Sequence, residues 1–488
     1  MRTKILLLAA VIAFPLLTMA NNIRVVLNSY NPATKQLKIS LAWDNSWHDG
    51  SGQFRDAAWL FVKYKDITNN EWQHAVLATP TSTAVLSDTL SGSNVKFNLM
   101  GRNPSVAPGP VGSRGYMIRR QKGATAAVQN NPEFAGVYNV GMPLTATIVL
   151  PAGVTLANPE FRVYALEMVN IPAGSFYAGD GTTSSMVKTS DSNNSPFLLT
   201  SETVGITPYI YNNTIAIPAG TSTAPTYPRG VNEYFIMKYE LSLDGYHEYL
   251  NTLTRTQQNN QLAASPTEAS GTVNYGLTVA TYTSQTNPAV FSCDANNNGI
   301  FNEANDGKTN GALMSYVRAV LGYLDWAAIR PMTGFEYEKA CRGPLYPVAN
   351  EAAWGSNIYN VVNLDIDRFG PNETNSVVLD GPIFNGSIRN GAFAKANGST
   401  RLNSGGSYYG VMELSNGGHS LSTGFSETGF GWTSFTGTNG DGMVNPNYTG
   451  MYLHQHGSTV SNGIFYWEEN FNYSAYGQGW FEIRGVIK

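Results

Sequence analysis

Arg330-Pro-Met-Thr-Gly-Phe-Glu-Tyr-Glu-Lys-Ala-Cys-Arg-Gly343 is the stretch that decides how the second half of this 488-residue chain folds. Thr333 is placed to cap a helix, with Glu336 reaching back to the cap's backbone N–H, and Met332 and Tyr337 stand where a hydrophobic staple closes. Gly343 and then Pro344 end it. A helix this short is marginal in water, so Tyr337, Ala340 and Cys341, which share a face, predict packing against a domain core.

The same residues resemble the signature Arg-Leu-Pro-Thr-x-x-Glu-Trp-Glu-x-Ala-x-Arg-Gly of the formylglycine-generating enzyme family, the sulfatase-modifying-factor domain. Further segments follow in family order. Met168-Val-Asn-Ile-Pro-Ala-Gly-Ser-Phe-Tyr-Ala-Gly179 resembles the opening strand and turn, and Phe235-Ile-Met-Lys-Tyr-Glu-Leu-Ser-Leu-Asp-Gly-Tyr246 the entry to the first helix. Met314 to Trp326 resembles the next helix, and Ala353-Trp-Gly355, Tyr409-Gly-Val-Met-Glu-Leu-Ser415 and Arg484-Gly-Val486 complete the series. The resemblance covers about residues 167 to 488 and implies a C-type-lectin-related fold rich in irregular structure.

Upstream, Arg24–Asn28, Leu37–Trp43, Ala58–Tyr64, Val95–Leu99 and Leu144–Leu150 alternate or are β-branched, with turn residues between them, which predicts an antiparallel sandwich. The loop Trp43-Asp-Asn-Ser-Trp-His-Asp49 followed by Asp56-Ala-Ala-Trp59 resembles a module that precedes this family in some bacterial exported proteins. The expected class is therefore α+β. Residues 1–20 are expected to be a signal peptide, 21–160 the sandwich-like module, and 161–488 the formylglycine-generating-enzyme-like domain. The signal reading rests on Arg2 and Lys4, the apolar run Ile5–Leu17 and the small-residue ending at Ala20. That run is shorter than the about 20 residues a membrane span needs, so the mature chain is expected to lack a transmembrane segment. Export implies a periplasmic, extracellular or surface-associated protein.

Charged residues make up only 13% of the chain and the formal net charge is −4, with no basic cluster, so nucleic acid is excluded as a partner. Two helices are expected near Gly245–Thr254 and Ser315–Ala327, and no long helical period returns after Gly343. The only cysteines are Cys293 and Cys341, which in an exported protein either pair or pack as small hydrophobes.

Chemistry is scarce. The resemblance implies an oxidase that holds copper on two cysteines near the C-terminus, yet none follows Cys341, so neither copper nor iron is expected. A related branch of the family places iron ligands in a helical domain that has no counterpart here. After Ser415 the usual Gly-Asn-x-x-Glu-Trp is replaced by Asn416-Gly-Gly-His-Ser-Leu421. Segments that bear the fold persist while those near the site drift.

One metal candidate is a calcium loop. Asp294, Asn296 and Asn298 fall at its positions one, three and five, Gly299 makes the turn, the Ile300 carbonyl follows, and Glu303 or Asp306 completes the set. Position twelve is Asn305 rather than the bidentate Glu, and an Asn/Gly-rich turn that satisfies its own backbone is the alternative. A second candidate is the aromatic tail, with Tyr448, Tyr452, His454, His456, Tyr466, Trp467 and Tyr473 as ligand-binding residues. Such residues give contact area at low entropic cost, and they also fill cores. The pair His454-x-His456 reads as part of a Gly/Ser-flanked loop. Three functions are consistent with all this: a non-catalytic module binding protein or glycan at the cell surface, a metal-dependent oxidoreductase with altered chemistry, and a structural part of a bacterial surface assembly.

Overall fold

The computed structural model describes residues 23–49, 53–66, 71–79, 84–87, 96–102, 112–120, 136–150, 154–182, 187–189, 194–210, 213–214, 216–219, 227–262, 272–274, 276–362, 369–370, 373, 380, 382–383, 387–394, 400–415, 419–423, 440–442, 453–456, 466–469 and 476–488. The expected signal peptide and Tyr448, Tyr452 and Tyr473 lie outside them.

The strand Asp56–Asp66 organises the molecule. Its run Ala57-Ala-Trp-Leu-Phe-Val62 is apolar at every position, the pattern of a strand covered on both faces. Successive side chains alternate in direction. Ala58, Leu60 and Val62 join Leu37, Ile39 and Leu41 in the core between two sheets. Ala57, Trp59 and Phe61 pack on the other side with the helices of the second half.

One sheet has four strands in the order Arg24–Asn31, Gln36–His48, Gly136–Val149, Val76–Leu77. The facing sheet has eight. Its path is Val486–Ile487, Tyr234–Met237, Pro159–Ile171, Asp56–Asp66, Gly115–Arg120, Lys96–Arg102 and Ala84–Ser87, with Trp72–His74 beside Asp56–Asp66. Pairing in both is antiparallel, and the two sheets form the expected sandwich. The sheet continues past residue 160, because Pro159–Ile171 pairs with Asp56–Asp66 along Pro159–Val169 and with Tyr234–Met237 along Met168–Ile171.

Helices are few, and the described fold is mainly antiparallel sheet. Leu243–Leu250 is capped by Ser242, whose hydroxyl accepts from the Gly245 N–H at 3.2 Å. It ends before Thr254, which caps a separate helix, Arg255–Gln261, through its own capping box. Val317–Trp326 and Gly334–Arg342 follow, and after Gly343 the described helix is the four-residue Arg401–Ser404. Among the described residues no helix is long and apolar enough to cross a membrane.

A further sheet joins Leu313–Tyr316, Tyr476–Glu482, His419–Thr423, Leu453–His456 and Tyr466–Glu469, with Met332–Thr333 parallel to His419–Thr423. His454 and His456 are therefore strand residues, a correction to the expected loop. His454 sits opposite Ser422 and Glu468, and His456 opposite Ser420 and Tyr466. Two-sided pairing overrides the weak local propensity of a segment flanked by Gly and Ser.

Candidate functional site

The helix Gly334–Arg342 has the capping box that its sequence predicts: the Thr333 hydroxyl accepts from the Glu336 N–H, and Glu336 accepts from the Thr333 N–H at 2.9 Å. Glu336 also accepts both guanidinium nitrogens of Arg330, at 2.8 and 2.6 Å. One buried carboxylate thus serves as cap and counter-ion. Burial extends to all nine helix residues, beyond the single face that the apolar pattern predicts. The remaining charges are matched: Glu338 pairs with Arg342 and accepts from the Gly179 N–H, Arg342 faces Glu351 at 3.0 Å, and Lys339 donates to the carbonyls of Pro172 and Gly230. Burial lowers the Lys339 pKa to about 8.

Segments far apart in sequence close around this helix. Val169 and Ile171, Ile236, Tyr337 and Cys341, Ala353, Val411 and Leu414, and Val486 share one core cluster. Hydrogen bonds tie the same pieces: Tyr337 to the Leu414 carbonyl, the Ala353 N–H to Ser415, and Arg330 and Val486 to each other in both directions. Met237 and Lys238 offer their carbonyls to Arg484, which is also paired with Glu482 at 2.8 Å.

Beside this core lies a cavity of about 340 Å³. One wall is the strand segment Val163–Glu167, another Met237, Tyr239–Ser242 and the helix start at Asp244 and Gly245, and a third Arg389 and Asn390. Tyr164, Tyr239, Tyr323 and Trp326 give it aromatic surface. Glu167 and Glu240 supply buried carboxyls. Desolvation pushes Glu167 up to about 8, against the pull of Lys238 at 3.6 Å. Burial, and then the charges of Glu482 and Glu413, raise Glu240 well above the carboxylate range. Both Glu240 oxygens lack a hydrogen-bond partner, and the backbone of Gly311 packs so close to them that a Cβ there would lie 2.1 Å from the carboxyl. Burial holds both toward the protonated form, in which a carboxyl can donate as well as accept a hydrogen bond.

The Asp294 loop folds as a tight turn. The Asp294 carboxylate accepts from the N–H groups of Asn298 and Gly299 at 3.1 and 3.3 Å, and Asn296 and Asn298 accept from Asn298 and Ile300 at 2.9 and 2.7 Å. Asn298 donates to Glu303, and Asp306 accepts from the Glu303 N–H. The loop's oxygens serve its own backbone. Cys293 and Cys341 are both free and buried in separate core clusters, the packing alternative of the two that the sequence leaves open. Burial pushes Cys293 up to about 12.

Sequence reading passed over the cavity residues, because each arrives from a different segment. Glu240 and Asp244 do lie within the run Phe235–Tyr246, where acidic residues following an apolar strand were the available signal.

No family model matches the chain, and no curated protein matches it. Among solved structures, the crystal structure of group B streptococcus pilus 2b backbone protein shows a TM-score of 0.12 and 12% identity, over 45% of this chain and 86% of that chain. A likeness that low carries no argument about fold or function.

Proposed function

We propose that this chain is an exported, non-catalytic binding module built on a formylglycine-generating-enzyme-like scaffold, and that it holds a glycan at a cell surface in the cavity beside Glu167 and Glu240. The observation that carries the reading is a contrast. Segments quoted for the resemblance meet in one buried core around Gly334–Arg342, while no cysteine follows Cys341 to hold copper. The cavity favours a glycan over a protein partner. Its volume is at the small end for a small-molecule site, and aromatic faces beside a few convergent polar groups suit the apolar faces and hydroxyls of a sugar. Protonated carboxyls fit a neutral ligand better than a charged one.

The full chain applied to an array of bacterial cell-wall and surface glycans is expected to retain a defined subset. Tyr239→Ala, which removes half-buried aromatic surface from the cavity, is expected to lower that retention at least tenfold with its melting temperature little changed. Retention of no glycan, or retention indifferent to Tyr239→Ala, defeats the proposal. So does copper-dependent oxygen consumption on cysteine-containing peptides, which restores the oxidase reading.

A further inference from the structure

Among the described residues, one set of three histidine, cysteine or acidic side chains brings its donor atoms within 4.8 Å of one another: Asp244, His247 and Cys293. Asp244 and His247 lie one turn apart on the helix Leu243–Leu250, so their side chains rise on the same side. Cys293 ends the strand Val290–Cys293, and its N–H is fixed by Asn302 Oδ1 at 3.0 Å. His247 Nδ1 is 3.7 Å from Asp244 Oδ1 and 3.8 Å from Cys293 Sγ. Tetrahedral bonds of about 2.0–2.3 Å hold neighbouring donors about 3.3–3.7 Å apart. The two histidine pairs lie within a few tenths of an ångström of that range, and the Asp244 and Cys293 donors, within 4.8 Å of each other, close by up to about 1 Å as the half-exposed aspartate turns inward.

The other ring nitrogen, His247 Nε2, lies 3.6 Å from Glu248 Oε1, just beyond hydrogen-bond distance. A small rotation of this exposed carboxylate places it behind the ring, as carboxylates stand behind ligating histidines in metal sites, with Nδ1 turned toward Asp244 and Cys293. Two competing contacts are present. Lys308 Nζ sits 3.2 Å from Asp244 Oδ1, and Glu248 pairs with Arg162 at 3.3 Å. The Lys308 and Asp244 side chains are 36% and 45% exposed, so exchanging that pair for a cation costs little.

We propose that Asp244, His247 and Cys293 bind a single zinc-class divalent ion through a carboxylate oxygen, Nδ1 and a thiolate sulfur. One thiolate, one imidazole and one carboxylate form a borderline donor set that suits zinc better than calcium or magnesium. As the metal–sulfur bond forms, the Cys293 thiol proton leaves to solvent. Asp244, Glu248 and Lys308 also line the cavity, which puts the ion behind the cavity wall. Water, or a donor from the cavity's occupant, completes the shell from that side. The site needs neither the family resemblance nor glycan binding, so either proposal can fail alone.

The test uses the full chain, stripped with chelator and titrated with Co²⁺ as a spectroscopic substitute. One equivalent is expected to give a thiolate-to-cobalt charge-transfer band and the intense visible bands of a four-coordinate ion, both erased by Zn²⁺. Cys293→Ser should abolish the charge-transfer band, and Cys341→Ser should leave it intact. Asp244→Asn, a change at a half-exposed side chain, should weaken affinity at least tenfold without altering the metal-free melting temperature. Glu248→Gln should weaken it about 10–100-fold. Absence of the band in the parent chain, its survival in Cys293→Ser, or unchanged affinity in Asp244→Asn overturns the proposal.

Discussion

The helices Val317–Trp326 and Gly334–Arg342 are both buried on almost every side, and they reach that state by opposite means. In the first, Val317, Val320, Leu321 and Leu324 enter a large apolar cluster, and Tyr323 and Trp326 meet Tyr249 edge to face. In the second, four of nine residues are charged, and burial is possible because Arg330, Glu351 and backbone groups of Pro172, Gly179 and Gly230 meet them. The apolar helix is held by area, which is tolerant. The charged one is held by pairing, which is specific and unforgiving of a missing partner.

The sharpest way to break that comparison is to remove one ion. Arg330→Ala leaves Glu336 buried without its counter-charge and is expected to cost about 3–5 kcal/mol in urea unfolding. Replacing both residues with Met and Leu should recover most of that loss, because an apolar pair carries no stranded charge. A double-mutant cycle with no coupling between positions 330 and 336 would remove the distinction between the two helices.

Truncation in the apolar helix comes next. Leu324→Ala, at a side chain 1% exposed, is expected to cost about 2–4 kcal/mol through lost transfer energy and an unfilled cavity. A cost exceeding that of Arg330→Ala would reverse the ranking.

Acidity separates the regions further. Burial raises Glu167 to about 8 and Glu413 to about 7, so the folded chain holds protons that the unfolded chain releases. Their contribution is fully present below the unfolded carboxyl range near pH 4–5 and is lost as pH rises through about 7 to 8. Stability should fall by roughly 1 kcal/mol or more between about pH 5 and 8, and Glu413→Gln should flatten the curve. A profile that rises over this interval contradicts the assignment.

The smallest expected effect concerns the Asp294 loop. With its carboxylate already accepting from two backbone N–H groups, millimolar calcium should leave the melting temperature within about 1 °C. A rise of several degrees, lost in Asp294→Asn, would favour the calcium reading.

Much of the scaffold was legible in sequence, because capping boxes, staples and alternation are local. Thr333 with Glu336, the strands around Leu37–Trp43 and Ala58–Tyr64, and the apolar stripe of Val317–Leu324 all act within a few residues. What escaped depends on partners distant in the chain. Nothing near Glu338 or Lys339 announces that Gly179, Pro172 and Gly230 will arrive to satisfy them. The strand at His454 is created by neighbours on either side, and Asp244 and His247 acquire Cys293 only through the contact between a helix and a strand.

The strand Pro159–Ile171 has a mechanical consequence. At Met168 and Val169 it is hydrogen-bonded on both flanks, to the sandwich strand at Ala57 and Asp56 and to the second-half strand at Met237 and Ile236. Where a compliant tether would decouple two regions, this chain has a clamped splint. A shift of the sandwich strand is carried through paired backbone, and not through a loop, to the strand that brings Glu167 to the cavity.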